Sequence, residues 1–435
     1  MKEQQLPKIV SISLSTWRQD SGIHTQTDLF KFWDKDRLAQ IYTKSDYPDT
    51  PVCDRFFRIA ENKVIKSVYK RIPVGERVEN RAQSTAEDTK AEEEEKKLYA
   101  KAHKKKSWFM TLMRELVWSL GRWKTKALDT FIQEEAPDVY FVPIYPVVYM
   151  GKLQLHILKK HPRPYVCYLA DDNYSYKTCG KNIFAYIHRF FLRKVVKKLA
   201  KNCNQMFTIT QTEAEDTDKL FGTHSVVLTK GIDYSNLAYQ EKPVHAPLKM
   251  VYTGKMVIGR DQTLAAMAEA VKRINADGEK ILFEIYSPDV PNKKTLLRMQ
   301  DGAKLMGCVH KDKVQEIQEA ADVVVFVEGL EKKDRLIARL SFSTKLTDYF
   351  RSGKCIFAVG DKRIAPIEYL KDNDCAVIAC EYEEIEERLR ELLDSPNMVL
   401  EYGKKAFDCG KRNHDETHIK QVFIETFKKA VDDKK

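Results

Sequence analysis

Short apolar runs alternate with longer stretches of helical period along most of the chain. Residues 8–14 read as a first strand, followed by a polar loop from Ser15 to Gly22 and a helix from about Thr25. Further strands are expected at 137–143, 164–169, 206–210 and 225–228. Residues 241–247 carry two prolines and break the series. A second series then begins, with strands at 249–253, 281–285, 322–327, 355–359 and 376–379, and helices at 262–275 and 313–320 between them. Strands alternating with helices imply parallel, doubly wound sheets. The expected organisation is an N-terminal domain over 1–240, a linker over 241–247 and a C-terminal domain over 248–435. The last helix is expected to pack back on the first domain. Residues 79–106, with four consecutive glutamates and a lysine cluster, interrupt the first series as a charged insertion.

A length of 435 residues suits two cores rather than one. With 43% hydrophobic and 31% charged residues the chain is an ordinary globular one, which excludes wholesale disorder. No apolar run approaches the roughly 18 residues of a spanning helix. The N-terminal segment is too short and too polar for a secretory signal, so a cytoplasmic location is expected. Nine scattered cysteines without a CxxC pair read as buried free thiols. Basic residues exceed acidic ones by 74 − 63 = 11, which points to an anionic partner: nucleotide, nucleic acid or phospholipid surface.

In a doubly wound sheet, ligands bind at the carboxyl ends of the strands, so the loops there hold the candidate chemistry. Gly254-Lys255 with Arg260 follows the first strand of the second series. Two cations on one loop suit a diphosphate, although a solvated basic loop has the same composition. Ser343, Thr344 and Lys345 stand at a helix start that would attract phosphate. Asp348, about one turn later, could accept hydrogen bonds from ribose hydroxyls or be a surface carboxylate. Gly22 ends the first loop and permits close backbone approach to a ligand. Asp171 and Asp172 end a strand and could orient a hydroxyl or serve as turn residues.

Taken in order, these segments resemble the GT-B glycosyltransferases, close to the retaining family 4 type. Gly254-Lys255 and Arg260 resemble that family's donor-diphosphate loop. Residues 229–233 (Thr-Lys-Gly-Ile-Asp) resemble its Asn-Gly-Val-Asp segment. Asp348 with Gly353 matches the second acidic residue and the glycine of its donor motif. The family's first glutamate is replaced by Leu340, and Glu328 is a candidate stand-in. The resemblance implies two Rossmann-like domains facing each other across a cleft. Lys255, Arg260, Ser343, Thr344 and Lys345 would hold the donor diphosphate and Asp348 the nucleotide ribose. Gly22, Asp171, Asp172 and Glu328 would line the acceptor or sugar cleft. It also implies a metal-independent reaction with no cofactor, the nucleotide-sugar being a substrate. Asp-x-Asp triplets at 34–36, 216–218 and 372–374 do not directly follow apolar strands and are expected on surface helices or turns.

Between Asp172 and Glu213 there are eight basic residues and no acidic one. Phe184, Ile187, Phe191, Val195 and Leu199 follow a helical period there, as do Trp108, Leu112, Leu116, Leu120 and Trp123 earlier. Each stripe either packs on the core or, with its cations, docks 107–126 and 184–201 on an anionic membrane. No nucleic-acid-binding module is recognisable. The expected function is transfer of a sugar from a nucleotide-sugar, UDP-sugar favoured, to a glycan or lipid-linked glycan. The setting would be surface polysaccharide synthesis, peripheral to the inner face of the membrane. A nucleotide-sugar 2-epimerase and a noncatalytic sugar-nucleotide-binding subunit are the alternatives.

Overall fold

The computed structural model describes residues 5–18, 24–80 and 108–433. Gly22 and nearly all of the 79–106 insertion lie outside the described residues. The chain forms two compact units, Met1–Leu228 with Lys420–Lys435, and Thr229–Ile419. Elements are numbered in chain order.

The first unit is built on eight strands: β1 (Ile9–Ser13), β2 (Leu38–Tyr42), β3 (Phe56–Arg58), β4 (Glu76–Val78), β5 (Val139–Pro143), β6 (Tyr165–Leu169), β7 (Gln205–Thr208) and β8 (Ser225–Val227). Their order is β4-β3-β2-β1-β5-β6-β7-β8, parallel except for the edge strand β4. Apart from the edge strands β4 and β8, every residue of these strands is buried, as expected of a sheet covered by helices on both faces. The helices are α1 (His24–Phe30), α2 (Glu61–Lys70), α3 (Trp108–Leu120), α4 (Lys126–Glu135), α5 (Val148–Lys160), α6 (Ile183–Asn202) and α7 (Gln211–Phe221). The last helix, α16 (Glu416–Asp432), brings Phe423 and Phe427 against Phe30 and Trp33 at ring separations of 5.0–6.2 Å.

The second unit has six parallel strands: β9 (Leu248–Thr253), β10 (Ile281–Tyr286), β11 (Lys304–Gly307), β12 (Val323–Val327), β13 (Cys355–Val359) and β14 (Val377–Ala379). Their order, β11-β10-β9-β12-β13-β14, is the doubly wound 3-2-1-4-5-6 arrangement. Its helices are α8 (Arg260–Ile274), α9 (Lys293–Met299), α10 (Lys311–Glu319), α11 (Lys332–Ala338), α12 (Thr344–Ser352), α13 (Ala365–Asp372), α14 (Glu384–Asp394) and α15 (Pro396–Asn413).

Every strand expected from the hydrophobic pattern is present within two residues of its expected ends. The pattern missed β2, β3, β4 and β11, which are three to five residues long and set among polar residues. Neither amphipathic stripe lies wholly against the core. In α6 the buried line runs through Ala185, His188, Leu192, Val196 and Leu199, about a quarter turn from the expected one. Phe184, Ile187 and Phe191 are therefore exposed, while Val195 and Leu199 are buried. In α3 the core takes Trp118, stacked on Tyr149 at 4.2 Å, and leaves Leu116 and Leu120 exposed. Among the described residues no helix is long and apolar enough to cross a membrane. The three Asp-x-Asp triplets lie in helices or their flanking turns, and none directly follows a strand.

Candidate functional site

Strand order in the second unit reverses between β9 and β12, and the loops that follow these two strands flank the point of reversal. Such a point opens a crevice beyond the strand ends. The loop after β9 runs from Gly254 to Gly259 and feeds directly into α8. Gly254 has φ +142° and Gly259 φ +73°, conformations that suit glycine. Ile258 has φ +57°, a costly conformation for a β-branched residue that persists only where its surroundings hold it. The loop is held by Asp289, which accepts a hydrogen bond from the Met256 amide at 2.7 Å, and by Tyr252 Oη, which donates to the Lys255 carbonyl at 2.6 Å.

Arg260, the first residue of α8, reaches across the reversal point to Glu328, which follows β12. Its Nε and an Nη donate to the two carboxylate oxygens at 3.0 and 2.7 Å. Glu328 is buried, and Thr263 Oγ1 donates to its carbonyl at 2.9 Å. The carboxylate suggested for sugar contact is thus the bidentate partner of a cation suggested for phosphate contact. A fork-to-fork pair of this kind fixes the guanidinium plane as well as its charge.

Lys345 enters from α12. Its Nζ donates to Tyr252 Oη at 3.1 Å and lies 4.5 Å from the centre of that ring. Burial and the neighbouring Arg260 charge pull its pKa down to about 7, with Glu328 opposing them. Ser343 holds the N-cap position of α12 in an extended conformation, but its hydroxyl makes no capping bond. The amides of Thr344 and Lys345 have no hydrogen-bond partner among the described residues. Uncapped amides at a helix start attract anions. Lys255 is exposed, with no ion pair among the described residues. Asp348, one turn into α12, is half-exposed and receives Lys230 Nζ at 3.4 Å.

The structure thus gathers Arg260, Lys345 and Glu328 around the reversal point. Lys255 lies on the same loop, and Ser343, Thr344 and Asp348 on the first turns of α12. Sequence reasoning missed Tyr252, which ties Lys345 to the loop, and the partnership of Lys230 with Asp348. Leu340 is buried.

Two of the remaining candidates belong to the first unit. Asp172 is spent on a turn: its carboxylate accepts from the Ser175 amide at 2.8 Å and from the Ser175 hydroxyl at 2.5 Å. Asp171 is exposed, and its carboxylate makes no hydrogen bond or ion pair among the described residues. The first-loop residues Ser15 to Trp17 are pinned by the buried Gln40, which accepts from Thr16 Oγ1 and the Trp17 amide at 3.2 Å each.

Several solved structures superpose on nearly the whole chain. The chain superposes on HepE from Anabaena in complex with UDP at a TM-score of 0.62. Identity is 12%, and the match covers 97% of this chain and 99% of that one. This is the GT-B fold. A sucrose-phosphate synthase from Thermosynechococcus elongatus shares it at a TM-score of 0.58 and 10% identity, over 97% and 98% of the two chains. So does a UDP-forming trehalose-phosphate synthase from Burkholderia vietnamiensis, at 0.56 and 8% over 97% and 99%. No protein-family model matches the sequence, and no curated protein matches it significantly. The reversal-point loops of a GT-B second unit are therefore the frame in which Arg260, Lys345 and Glu328 have to be understood.

Proposed function

We propose that the protein is a glycosyltransferase that moves a sugar from a nucleotide-sugar, with retention of configuration, to a glycan or lipid-linked glycan acceptor. The observation that carries this reading is the convergence of Arg260, Lys345 and the uncapped start of α12 at the reversal point of the second sheet. Departure of a nucleoside diphosphate develops negative charge on phosphoryl oxygens, and preorganised cations and amides meet that charge. Lys255, Arg260, Ser343, Thr344 and Lys345 form the diphosphate set, and Asp348 receives the ribose. The charge is then carried by side chains and amides, without a metal. Glu328 orients Arg260, and the exposed Asp171 is the better placed of the two aspartates to receive an acceptor hydroxyl. UDP is the first nucleotide to try, because HepE, which shares the fold, binds it. The reading sets the protein in surface polysaccharide synthesis, in the cytoplasm against the inner face of the membrane.

A second reading, a noncatalytic sugar-nucleotide-binding subunit, is favoured by one observation. Buried Leu340 stands where the donor motif of the family it resembles has its first glutamate. Calorimetry of UDP and GDP against the wild type and Lys255→Ala, without metal, tests the site. Binding of one nucleotide, weakened by the substitution, supports it, and binding of neither overturns it. Release of free nucleotide on addition of acceptor then separates the transferase from a subunit that binds without turnover.

A further inference from the structure

Along α3 the residues Phe109, Met113, Leu116 and Leu120 recur on one face, and that face is exposed, with Phe109 at 57% and Leu120 at 59%. Met110 is exposed beside them. The first turns of α6 do the same: Ile183 (65%), Phe184, Tyr186, Ile187, Phe190 and Phe191 are all exposed. The two helices pack against each other, with Glu115 of α3 and buried His188 of α6 3.4 Å apart between them. The exposed rows thus flank one seam. Soluble proteins rarely show so many large apolar side chains together unless the surface is used.

The charge around the seam identifies the occupant. Past Phe191 the exposed face of α6 becomes Lys194, Lys197, Lys198 and Lys201, and Lys177 and Lys181 precede the helix. The Lys194 ammonium lies 4.3 Å from the centre of the Phe190 ring, so cation and aromatic are presented together. A second copy of this face would set lysines against lysines, whereas an anionic bilayer accepts apolar groups below its headgroups and cations among them.

We propose that the outer face of α3 and α6 docks on an anionic lipid bilayer. The aromatic first turns of α6 and the apolar row of α3 enter the interface, and Lys194 to Lys201 sit in the headgroup layer. The helices lie on the membrane rather than across it. The inference deepens the proposed membrane location and rests on that reading only for its purpose, since lipid binding by this face does not require transferase activity.

Flotation of the full chain with phosphatidylcholine vesicles, with and without phosphatidylglycerol, tests it. Wild-type protein should bind the mixed vesicles and not the neutral ones, and should release as salt rises. The double variant Phe184→Ser, Phe191→Ser should lose at least about tenfold in binding. The triple variant Lys194→Glu, Lys197→Glu, Lys198→Glu should lose about a hundredfold at low salt. All three chains should melt alike and bind nucleotide alike, because the substituted side chains are exposed and lie in the first unit. Absence of vesicle binding at low salt overturns the proposal, and so does binding unchanged in both variants. A dimer that the phenylalanine substitutions dissociate would make the face a contact between copies and also overturn it. Lipid binding without nucleotide binding would keep this surface and remove the transferase reading; the reverse would do the opposite.

Discussion

Lys345 occupies the space that a β-carbon on Gly254 would need: such an atom would collide with the Cε and Nζ of the lysine. Gly254 also holds φ +142°, which L side chains rarely adopt, so any substitution is strained there as well. The glycine therefore makes room for a cation that arrives from a different crossover of the sheet. Gly254→Ala should expel Lys345 from its seat on Tyr252 and lower nucleotide affinity about tenfold or more, the size of a lost charge-assisted hydrogen bond. The double variant Gly254→Ala, Lys345→Met should bind no more weakly than Lys345→Met alone, because both remove one interaction. Additive losses in calorimetry would separate the two residues and undo the argument.

Lys345 gives the site a proton signature. With its pKa pulled down to about 7, the lysine is largely neutral above that pH in the free protein. A bound diphosphate favours the ammonium form and raises the pKa again. Binding at about pH 8.5 should then take up close to one proton, and binding below about pH 6 none from this group. Calorimetry in buffers of different ionisation enthalpy measures the uptake, and Lys345→Arg should abolish it. The effect on stability has the opposite sense to that of a lysine gaining a salt bridge. The unfolded chain binds the proton more tightly between about pH 7 and pH 10, so this residue's contribution to stability rises with pH across that window. Lys345→Met should remove that rise.

The hydrophobic pattern made the second unit legible where strands are continuous apolar runs, as at Val323–Val327, since a strand buried on both faces has to be written that way. Once the strands were placed, their loops followed, and Lys255, Arg260 and Lys345 could be picked out as loop or helix-start cations. What sequence could not carry were pairings across long separations. Tyr252 meets Lys345 across 93 positions and Lys230 meets Asp348 across 118, and neither pair has a local spacing to betray it. The facing of α6 is left open by the sequence for a related reason. Its large aromatic residues Phe184, Tyr186, Phe190 and Phe191 are exposed while its core side carries the smaller Ala185, Leu192 and Val196, so size and periodicity alone do not say which row is inside.

The Arg260–Glu328 pair should be the least replaceable element of the site. Breaking a buried, bidentate ion pair by removing one partner costs about 3–5 kcal/mol, because the other charge is left without compensation. Glu328→Ala should therefore lower the urea midpoint clearly and weaken nucleotide binding as well, since Arg260 loses its orientation. Glu328→Gln keeps a hydrogen-bond acceptor and should fall between. Removing both partners with Arg260→Ala, Glu328→Ala should recover part of the stability lost in Glu328→Ala and none of the nucleotide affinity. A double variant as unstable as the sum of the singles would mean that the two side chains do not act as a pair.

Asp348 should behave in the opposite way. Its partner Lys230 is 3.4 Å away, and both side chains are substantially exposed, at 47% and 31%. An ion pair so open to water contributes little, roughly 0–1 kcal/mol. Asp348→Ala should leave thermal stability nearly unchanged. If the carboxylate receives ribose hydroxyls, the same substitution should cost about tenfold in nucleotide affinity. The decisive comparison uses the 2′-deoxynucleotide. Wild-type protein should bind it more weakly than the ribonucleotide, and Asp348→Ala should bind the two almost equally. If the variant still preferred the ribonucleotide by the full wild-type margin, the ribose would have to be held elsewhere, and Asp348 would be no more than the surface partner of Lys230.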